Sequence, residues 1–252
     1  MNGIVYPYGS SHLICANPVH LTIQNGMDKA QFPGDNEVNA STLIQLSGGI
    51  DSTFVLWHWL VNNPDEYCLV HHINLKHFEK RSDYEQKSVY RILEWLDKQG
   101  LKNYFYVENT FDYGNFTSVI PDVEVCGFHA GILLRSPRWH SIKRVLLPIY
   151  KPNTDREGMR RDLMRMISNG NPLYPLREFV IEYPLQDAEK IDVIASMPRD
   201  LVDLCWWCRT PYKGEQCGNC FTCKEVNECI EEITMNTFLN FLNSAENKKR
   251  DN

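Results

Sequence analysis

Short apolar segments alternate with longer amphipathic segments over most of the chain. Apolar runs of about four to eight residues that end at polar or glycine turns are typical of buried strands, whereas apolar residues at every third or fourth position predict helices. We therefore predict five strands separated by helices, at TLIQL, YCLVHHINL, NYFYVE, RVLLPIY and EFVIEYPL. This alternation predicts an α/β fold, a doubly wound and mostly parallel sheet covered on both faces.

The same pattern divides the chain into three parts. Residues 1–41 are rich in Gly, Pro and Asn and form an N-terminal extension. Residues 42–200 form the α/β domain, and residues 201–252 form a small C-terminal helical lobe that contains a cysteine cluster.

Helix starts are predicted from side chains that accept hydrogen bonds from free backbone N–H groups. Ser82, with Glu85 three positions later, fits a capping box at the start of the second predicted helix. Asp187 fits the N-cap of the helix that follows the fifth strand, and a further helix is predicted over residues 154–168.

Composition narrows the class of protein. Hydrophobic residues make up 43% of the 252 residues, which is enough for a substantial core. No apolar run reaches the roughly 18 residues needed to cross a bilayer. The N-terminus lacks the basic and apolar regions of a signal peptide, so we expect a cytoplasmic protein without a membrane partner. The net charge of −6 argues against direct binding to nucleic acid.

The string SGGIDS, residues 47–52, lies between the first predicted strand and the first predicted helix. Glycines after a strand allow a tight turn with N–H groups directed into one concavity, and the helix start favours an anion. Hydroxyls of Ser47, Ser52 and Thr53 add donors. No lysine follows the last glycine, so this is not the phosphate loop of kinases. Asp51 would bridge to phosphate through Mg²⁺ or cap backbone N–H groups; the plain alternative is a structural turn.

Nine cysteines are present, and five of them fall between residues 205 and 223. Cys217, Cys220 and Cys223 are each separated by two residues, a spacing typical of thiolates that share one metal ion. Cys208, eight intervening residues earlier, is preferred as the fourth ligand over Cys205, which follows an apolar stretch and reads as buried. Four such ligands predict a structural Zn²⁺ site, with a redox pair or an iron–sulfur cluster as the alternatives.

These motifs together resemble a known family. SGGIDS after an apolar strand resembles the pyrophosphate loop (PP-loop) of the N-type ATP pyrophosphatases, which have an adenine nucleotide alpha hydrolase-like fold. Combined with Cys-x8-Cys-x2-Cys-x2-Cys and with YPLQDAEKIDVIAS, in which Lys190 matches a family lysine, the chain resembles the 7-cyano-7-deazaguanine synthase family over about residues 43–226.

The resemblance implies an ATP-dependent carbon–nitrogen ligase of 7-deazapurine (queuosine-type or modified DNA base) biosynthesis. ATP would activate 7-carboxy-7-deazaguanine as an adenylylated intermediate, and ammonia would convert it to the nitrile, with Mg²⁺ and Zn²⁺ as the metal cofactors. The implied catalytic residues are Ser47, Asp51, Ser52 and Lys190. The adenine is expected near residues 73–75. The ATP site is expected to be lined by Leu46, Ser47, Gly48, Gly49, Ile50, Asp51, Ser52, Thr53, Phe54, Val55 and Leu56.

The middle of the chain departs from the family. Leu75-Lys76-His77 stands where the family has Tyr-Gly-Gln, and Gly127 is not followed by the family's Arg-Asn. Such segments would contact the base and build an oligomer interface, with a homodimer left open. Two alternatives therefore stand: a divergent PP-loop enzyme that adenylylates another carboxylate, amide or base for ligation or thiolation, or a non-catalytic nucleotide-binding relative. His71 and His72 are expected to face opposite sides of their strand.

Overall fold

The computed structural model describes residues 11–15, 21–23, 39–114, 122–149, 165–167 and 178–250. Most of the predicted N-terminal extension lies outside these residues. The helix predicted over residues 154–168 also lies outside them, apart from a helical turn at residues 165–167.

Seven strands form one sheet in the order β2-β1-β5-β4-β3-β6-β7. The five strands from β3 to β7 are mutually parallel, and β1 pairs with β5 and β2 in the antiparallel sense. The prediction of an α/β fold with a mostly parallel sheet is therefore confirmed. The strands are β1 (Ser11–Cys15), β2 (Leu21–Ile23), β3 (Thr42–Gln45), β4 (Cys68–Lys76), β5 (Tyr104–Asp112), β6 (Arg144–Leu146) and β7 (Val180–Glu182).

Helices cover both faces of the sheet. They are α1 (Ile50–Asn62), α2 (Ser82–Lys98), α3 (Asp122–Arg135), α4 (Lys190–Ser196), α5 (Arg199–Val202) and α6 (Phe221–Arg250), and a 3₁₀ turn follows α3 at Pro137–Trp139. One core lies between the sheet and α1, α2, α4 and α5, and the other lies under α3 and the 3₁₀ turn.

Strand alternation assigns side chains to these two cores. Val70 of β4 and Tyr106 of β5 belong to the α1–α2 core, whereas Leu69 and Val107 belong to the α3 core. All four side chains are at most 5% exposed, which explains why these strands read as continuous apolar runs rather than alternating ones.

Both predicted N-caps are corrected by the structure. Ser82 is the first residue of α2, the N-cap position is Arg81, and no side chain makes the capping hydrogen bond. Glu85 pairs with the Arg81 guanidinium, and this charged contact replaces the capping box. The N-cap of α4 is Glu189 rather than Asp187, again without a side-chain hydrogen bond.

The C-terminal segment packs into the same core as the sheet. Cys205 and Val226 are buried in the α1–α2 core, and Ile230 and Ile233 of α6 pack against it. Among the residues that the structure describes, no helix combines the length and apolarity that a membrane span needs.

Candidate functional site

A cavity of about 590 Å³ opens at the carboxyl ends of the parallel strands. The central strand β3 pairs with β4 on one side and with β6 on the other. The order in which the chain adds strands to the sheet therefore reverses direction at β3. Ligands of open α/β sheets bind in the crevice formed at such a reversal. Residues after β3 and β6 line the cavity, together with the carboxyl-terminal half of β4, the start of α3 and the segment before the cysteine cluster.

The loop after β3 is held tightly by its neighbours. Gly48 adopts a φ of +82°, and a Cβ at this position would lie 2.8 Å from the backbone oxygen of Glu85. The Gly48 carbonyl accepts hydrogen bonds from the Ser88 hydroxyl (2.9 Å) and from the Trp206 N–H (2.8 Å). A glycine is therefore required both by backbone conformation and by the close approach of α2.

Side-chain hydroxyl groups make hydrogen bonds within the loop. The Ser47 and Ser52 hydroxyls lie 3.0 Å apart, and the Ser47 N–H donates to Ser52 Oγ at 3.1 Å. The buried Thr53 hydroxyl donates to the Gly49 carbonyl at 2.7 Å. Ser47 itself is exposed, so its side chain is the loop hydroxyl most open to a ligand.

The residues predicted to line an ATP site fall into two groups. Those that line the cavity are Leu46, Ser47, Gly49, Ile50, Asp51 and Ser52. Gly48 is buried beneath the loop, Thr53 is 1% exposed, and Val55 and Leu56 are core residues of α1. Phe54 is partly buried and packs against the same core. The helical period explains this division, because side chains of α1 project in different directions around the helix axis, and only some of these directions face the cavity.

Asp51, in the first turn of α1, and Lys190, the first residue of α4, form an ion pair beside the loop. Lys190 Nζ donates to Asp51 Oδ1 at 2.6 Å, although the two residues are 139 positions apart in sequence. The Lys190 side chain is 10% exposed and that of Asp51 is 31% exposed. No side chain caps α1, so the capping role considered for Asp51 is replaced by this pair.

Arg81 and three carboxylates form another wall of the cavity. The buried guanidinium of Arg81 contacts Glu79, Glu85 and Asp122, and Arg209 lies 3.5 Å from Asp122. Burial opposes the charge of Arg81, but the Glu85 and Asp122 carboxylates more than offset this effect and raise its pKa. Burial also raises the pKa of Glu85, although its pairing with Arg81 opposes this rise. The wall therefore combines a buried guanidinium with several carboxyl groups.

His71 and His72 lie on opposite faces of β4. The His71 ring bonds Asn109 on the α3 side, and His72 Nδ1 donates to the Leu46 carbonyl at 2.8 Å. Burial lowers the pKa of both rings, for His71 to about 3. Both residues line the cavity as neutral rings. Of the residues expected near adenine, Ile73 and Leu75 also line it.

Four cysteines come together beside the cavity. The Sγ atoms of Cys208, Cys217, Cys220 and Cys223 all lie within 4.8 Å of one another. Tetrahedral zinc with Zn–S bonds of about 2.3 Å requires sulfur separations of about 3.8 Å, so this set could hold a metal ion such as zinc. Cys205 is separate from the set and donates to the Leu201 carbonyl within the core.

Hydrogen bonds favour the thiolate form of Cys217 and Cys220 and lower the pKa of both, whereas burial raises the pKa of Cys208 and Cys223. The Thr210 hydroxyl and the N–H groups of Asn219 and Cys220 lower the pKa of Cys217 to about 6. The Cys217 N–H in turn donates to Cys208 Sγ at 3.2 Å. Donors directed at sulfur stabilise negative charge, which is what a bound metal cation needs from its ligands.

Trp206 connects the cysteine cluster to the loop, and sequence reasoning did not single it out. Its backbone N–H binds Gly48, its indole N–H donates to the Cys208 carbonyl at 3.0 Å, and its ring stacks on Tyr84 at 4.6 Å. The adjacent tryptophans in CWWC were the available signal. Gln45, Arg81 and Ser88 were also missed, because their roles depend on distant partners.

No protein-family profile matches this chain, and a search of curated proteins returns no match either. The functional interpretation therefore depends on the residues of the cavity and on the motif resemblance.

Proposed function

We propose that this protein is an ATP-dependent ligase of the PP-loop type that adenylylates a carboxylate and transfers ammonia to it. The observation that carries the proposal is the Asp51–Lys190 pair at a glycine turn where a parallel strand meets a helix. The preferred acceptor is 7-carboxy-7-deazaguanine, which the resemblance implies, and the product would be the nitrile.

The loop would bind the phosphates of ATP. Free N–H groups at the start of α1 and the exposed Ser47 hydroxyl are donors suited to a pyrophosphate. A lone carboxylate beside phosphate would repel it, but the Lys190 ammonium balances the charge of Asp51. This arrangement favours the extra negative charge that develops on pyrophosphate as it leaves.

Mg²⁺ and ammonia are the other requirements of the proposal. Asp51 lines the cavity beside the loop. In this proposal its carboxylate would hold Mg²⁺, and the ion would supply additional neutralisation of phosphate charge. Lys190, 2.6 Å away, would then be released toward the phosphate oxygens or the acceptor.

The proposed reaction balances as two activations. The acceptor carboxylate attacks the α-phosphorus of ATP and pyrophosphate leaves; ammonia then displaces AMP and loses a proton to give an amide. The amide oxygen attacks the α-phosphorus of a second ATP and a second pyrophosphate leaves; loss of AMP, which carries away the amide oxygen, and of both protons on nitrogen leaves the nitrile. The acceptor would lie between the loop and the wall formed by Arg81, Glu79, Glu85 and Asp122.

The cysteine cluster has a structural role in this proposal. Around a zinc ion its four sulfurs would form a closed ligand set with no position left for substrate. Through Trp206, metal binding would fix the carbonyl of Gly48 and therefore the shape of the loop.

The test is incubation of the protein with ATP, Mg²⁺, ammonia and 7-carboxy-7-deazaguanine, with mass spectrometry of both nucleotide and base. We expect AMP, pyrophosphate and the nitrile, and the loss of all three in Asp51→Asn and in Ser47→Ala. Asp65→Asn, an exposed carboxylate beyond α1, is the matched control and should retain full turnover. ADP and phosphate as products would refute the PP-loop assignment. AMP release only with a different carboxylate would keep the chemistry and replace the acceptor.

A further inference from the structure

Two neutral side chains, Gln45 and His71, lie together on the sheet beneath the cavity. We propose that they form an acceptor pair that binds the exocyclic amino group of a planar purine-type ring. The identity of the ring, the adenine of ATP or the deazapurine acceptor, rests on the proposed function. Neither residue belongs to the loop or to the cysteine cluster.

Gln45 has its amide orientation set by the backbone of α3. Its Nε2 donates to the Cys126 carbonyl at 2.7 Å, so the opposite atom, Oε1, is the acceptor left over. Gln45 is 6% exposed, and its Oε1 has no hydrogen-bond partner among the described residues. Buried acceptors are nearly always satisfied in folded proteins, so this atom points to a missing donor.

His71 has its tautomer set in the same way. Its Nε2 lies 2.5 Å from Asn109 Oδ1, and the Asn109 amide nitrogen lies 3.3 Å from His129 Nδ1. With the amide in this orientation, Nε2 carries the proton and Nδ1 is an acceptor. The Nδ1 atom is buried and has no partner within the described part of the chain, and His71 is 1% exposed.

The register of the sheet brings the two acceptors side by side. Gln45 and His71 are Cα partners on the adjacent parallel strands β3 and β4, so their side chains leave the same face of the sheet. Neighbouring strands lie about 4.8 Å apart. The two hydrogens of an –NH₂ group diverge at about 120° and reach acceptors about 5 Å apart, each at an N···acceptor distance of about 2.9 Å. One amino group can therefore satisfy both residues.

The surroundings favour a neutral aromatic amine over an ammonium ion. Within the described residues, the groups that influence the ionisation of His71 are Asn109 and two histidines, and none is a carboxylate. The Glu85 and Asp122 carboxylates of the same cavity are already paired with Arg81, so a cation bound here would lack an unpaired counter-charge. The same cavity is lined by the apolar side chains of Val123, Leu147 and Ile149, which suit the faces of a flat ring.

The experiment is isothermal titration calorimetry with two matched ligand pairs in the presence of Mg²⁺. The first pair is α,β-methylene-ATP and α,β-methylene-ITP, which differ by an amino or an oxo group at position 6. The second pair is 7-carboxy-7-deazaguanine and its analogue without the 2-amino group. We expect wild-type protein to prefer the amino ligand about tenfold or more in one of the two pairs, which identifies the ring.

The variants Gln45→Met and His71→Phe each remove one acceptor and put an apolar side chain of similar size in its place. Each should reduce that preference to within about twofold. Thr42→Val, a buried change at the amino end of the same strand, is the matched control for fold and should retain the wild-type preference.

A preference that persists unchanged in Gln45→Met, measured by the same titration, would overturn the acceptor pair alone. Wild-type protein without a preference in either pair would also overturn it. Asp51→Asn separates the two proposals, because nucleotide binding that depends on Asp51 keeps the ligase proposal even when the acceptor pair fails. Wild-type protein that binds none of the four ligands would overturn both.

Discussion

Replacement of Gly48 by alanine tests the tight docking of the loop on α2. The new methyl group would meet a φ of +82° and would lie 2.8 Å from the Glu85 carbonyl and 3.2 Å from Ser88 Cβ. Gly100 is the matched control, because it has a φ of +79° but a methyl group there would meet no atom within 4 Å. The two substitutions therefore share backbone strain and differ in steric contact.

The expected costs follow from these contacts. A non-glycine residue in the left-handed region costs roughly 1–2 kcal/mol, which applies to both variants. Overpacking against a helix backbone adds about 1–3 kcal/mol, which applies to Gly48→Ala alone. The larger cost would appear as a lower melting temperature, at about 2–4 °C per kcal/mol for a chain of this size.

The assay is urea and thermal unfolding of both variants, combined with AMP release under the conditions of the proposed reaction. Gly48→Ala should lose turnover as well, because the loop must withdraw from Ser88 and Trp206 to make room. Gly100→Ala should lose stability and keep turnover. Equal destabilisation of the two variants, with turnover retained in both, would refute the packing argument.

Three further predictions concern the metal, the ion pair and the buried histidine. Metal analysis of the purified chain should find about one zinc per chain, and iron in place of zinc would contradict this prediction. The Cys220→Ser variant should lose the zinc and should unfold at a lower temperature. In a double-mutant cycle, the loss of unfolding free energy in the Asp51→Asn, Lys190→Met double variant should be smaller than the sum of the two single losses by about 0.5–3 kcal/mol. The reason is that each single change leaves a charge unpaired. An additive result would show that the pair does not interact. Stability should fall as pH decreases below about 6.5, since the unfolded chain protonates His71 there, whereas burial lowers its folded pKa to about 3. Urea unfolding between pH 7 and pH 4 measures this, and a flat profile in that window would count against a buried neutral ring.

Features that depend on short stretches of chain were predicted correctly. The apolar runs identified the five parallel strands, of which the central strands β3, β4 and β5 are largely buried on both faces. The alternation of strands and helices identified the fold class. The choice of Cys208 over Cys205 also agrees with the structure, in which Cys205 is a core residue.

Features that depend on distant partners were missed. The capping box at Ser82 was wrong because Arg81 draws Glu85 into an ion pair and also contacts Asp122, which is 41 residues away from it. Thr53 was expected to present a donor to phosphate, but its hydroxyl is buried and donates to the Gly49 carbonyl.

Sequence alone determined the strands, the glycine turn at the carboxyl end of β3 and the four cysteines, because periodicity and ligand spacing act over a few residues. Only the tertiary structure placed Lys190 on Asp51, Trp206 on Gly48, and Gln45 beside His71. Those contacts join residues far apart in the chain, and they depend on strand order, sheet register and the packing of the C-terminal segment against α2. The glycine turn and its hydroxyl residues could be predicted from the sequence, whereas the pairing of Asp51 with Lys190 and the position of Gln45 beside His71 were decided by the fold.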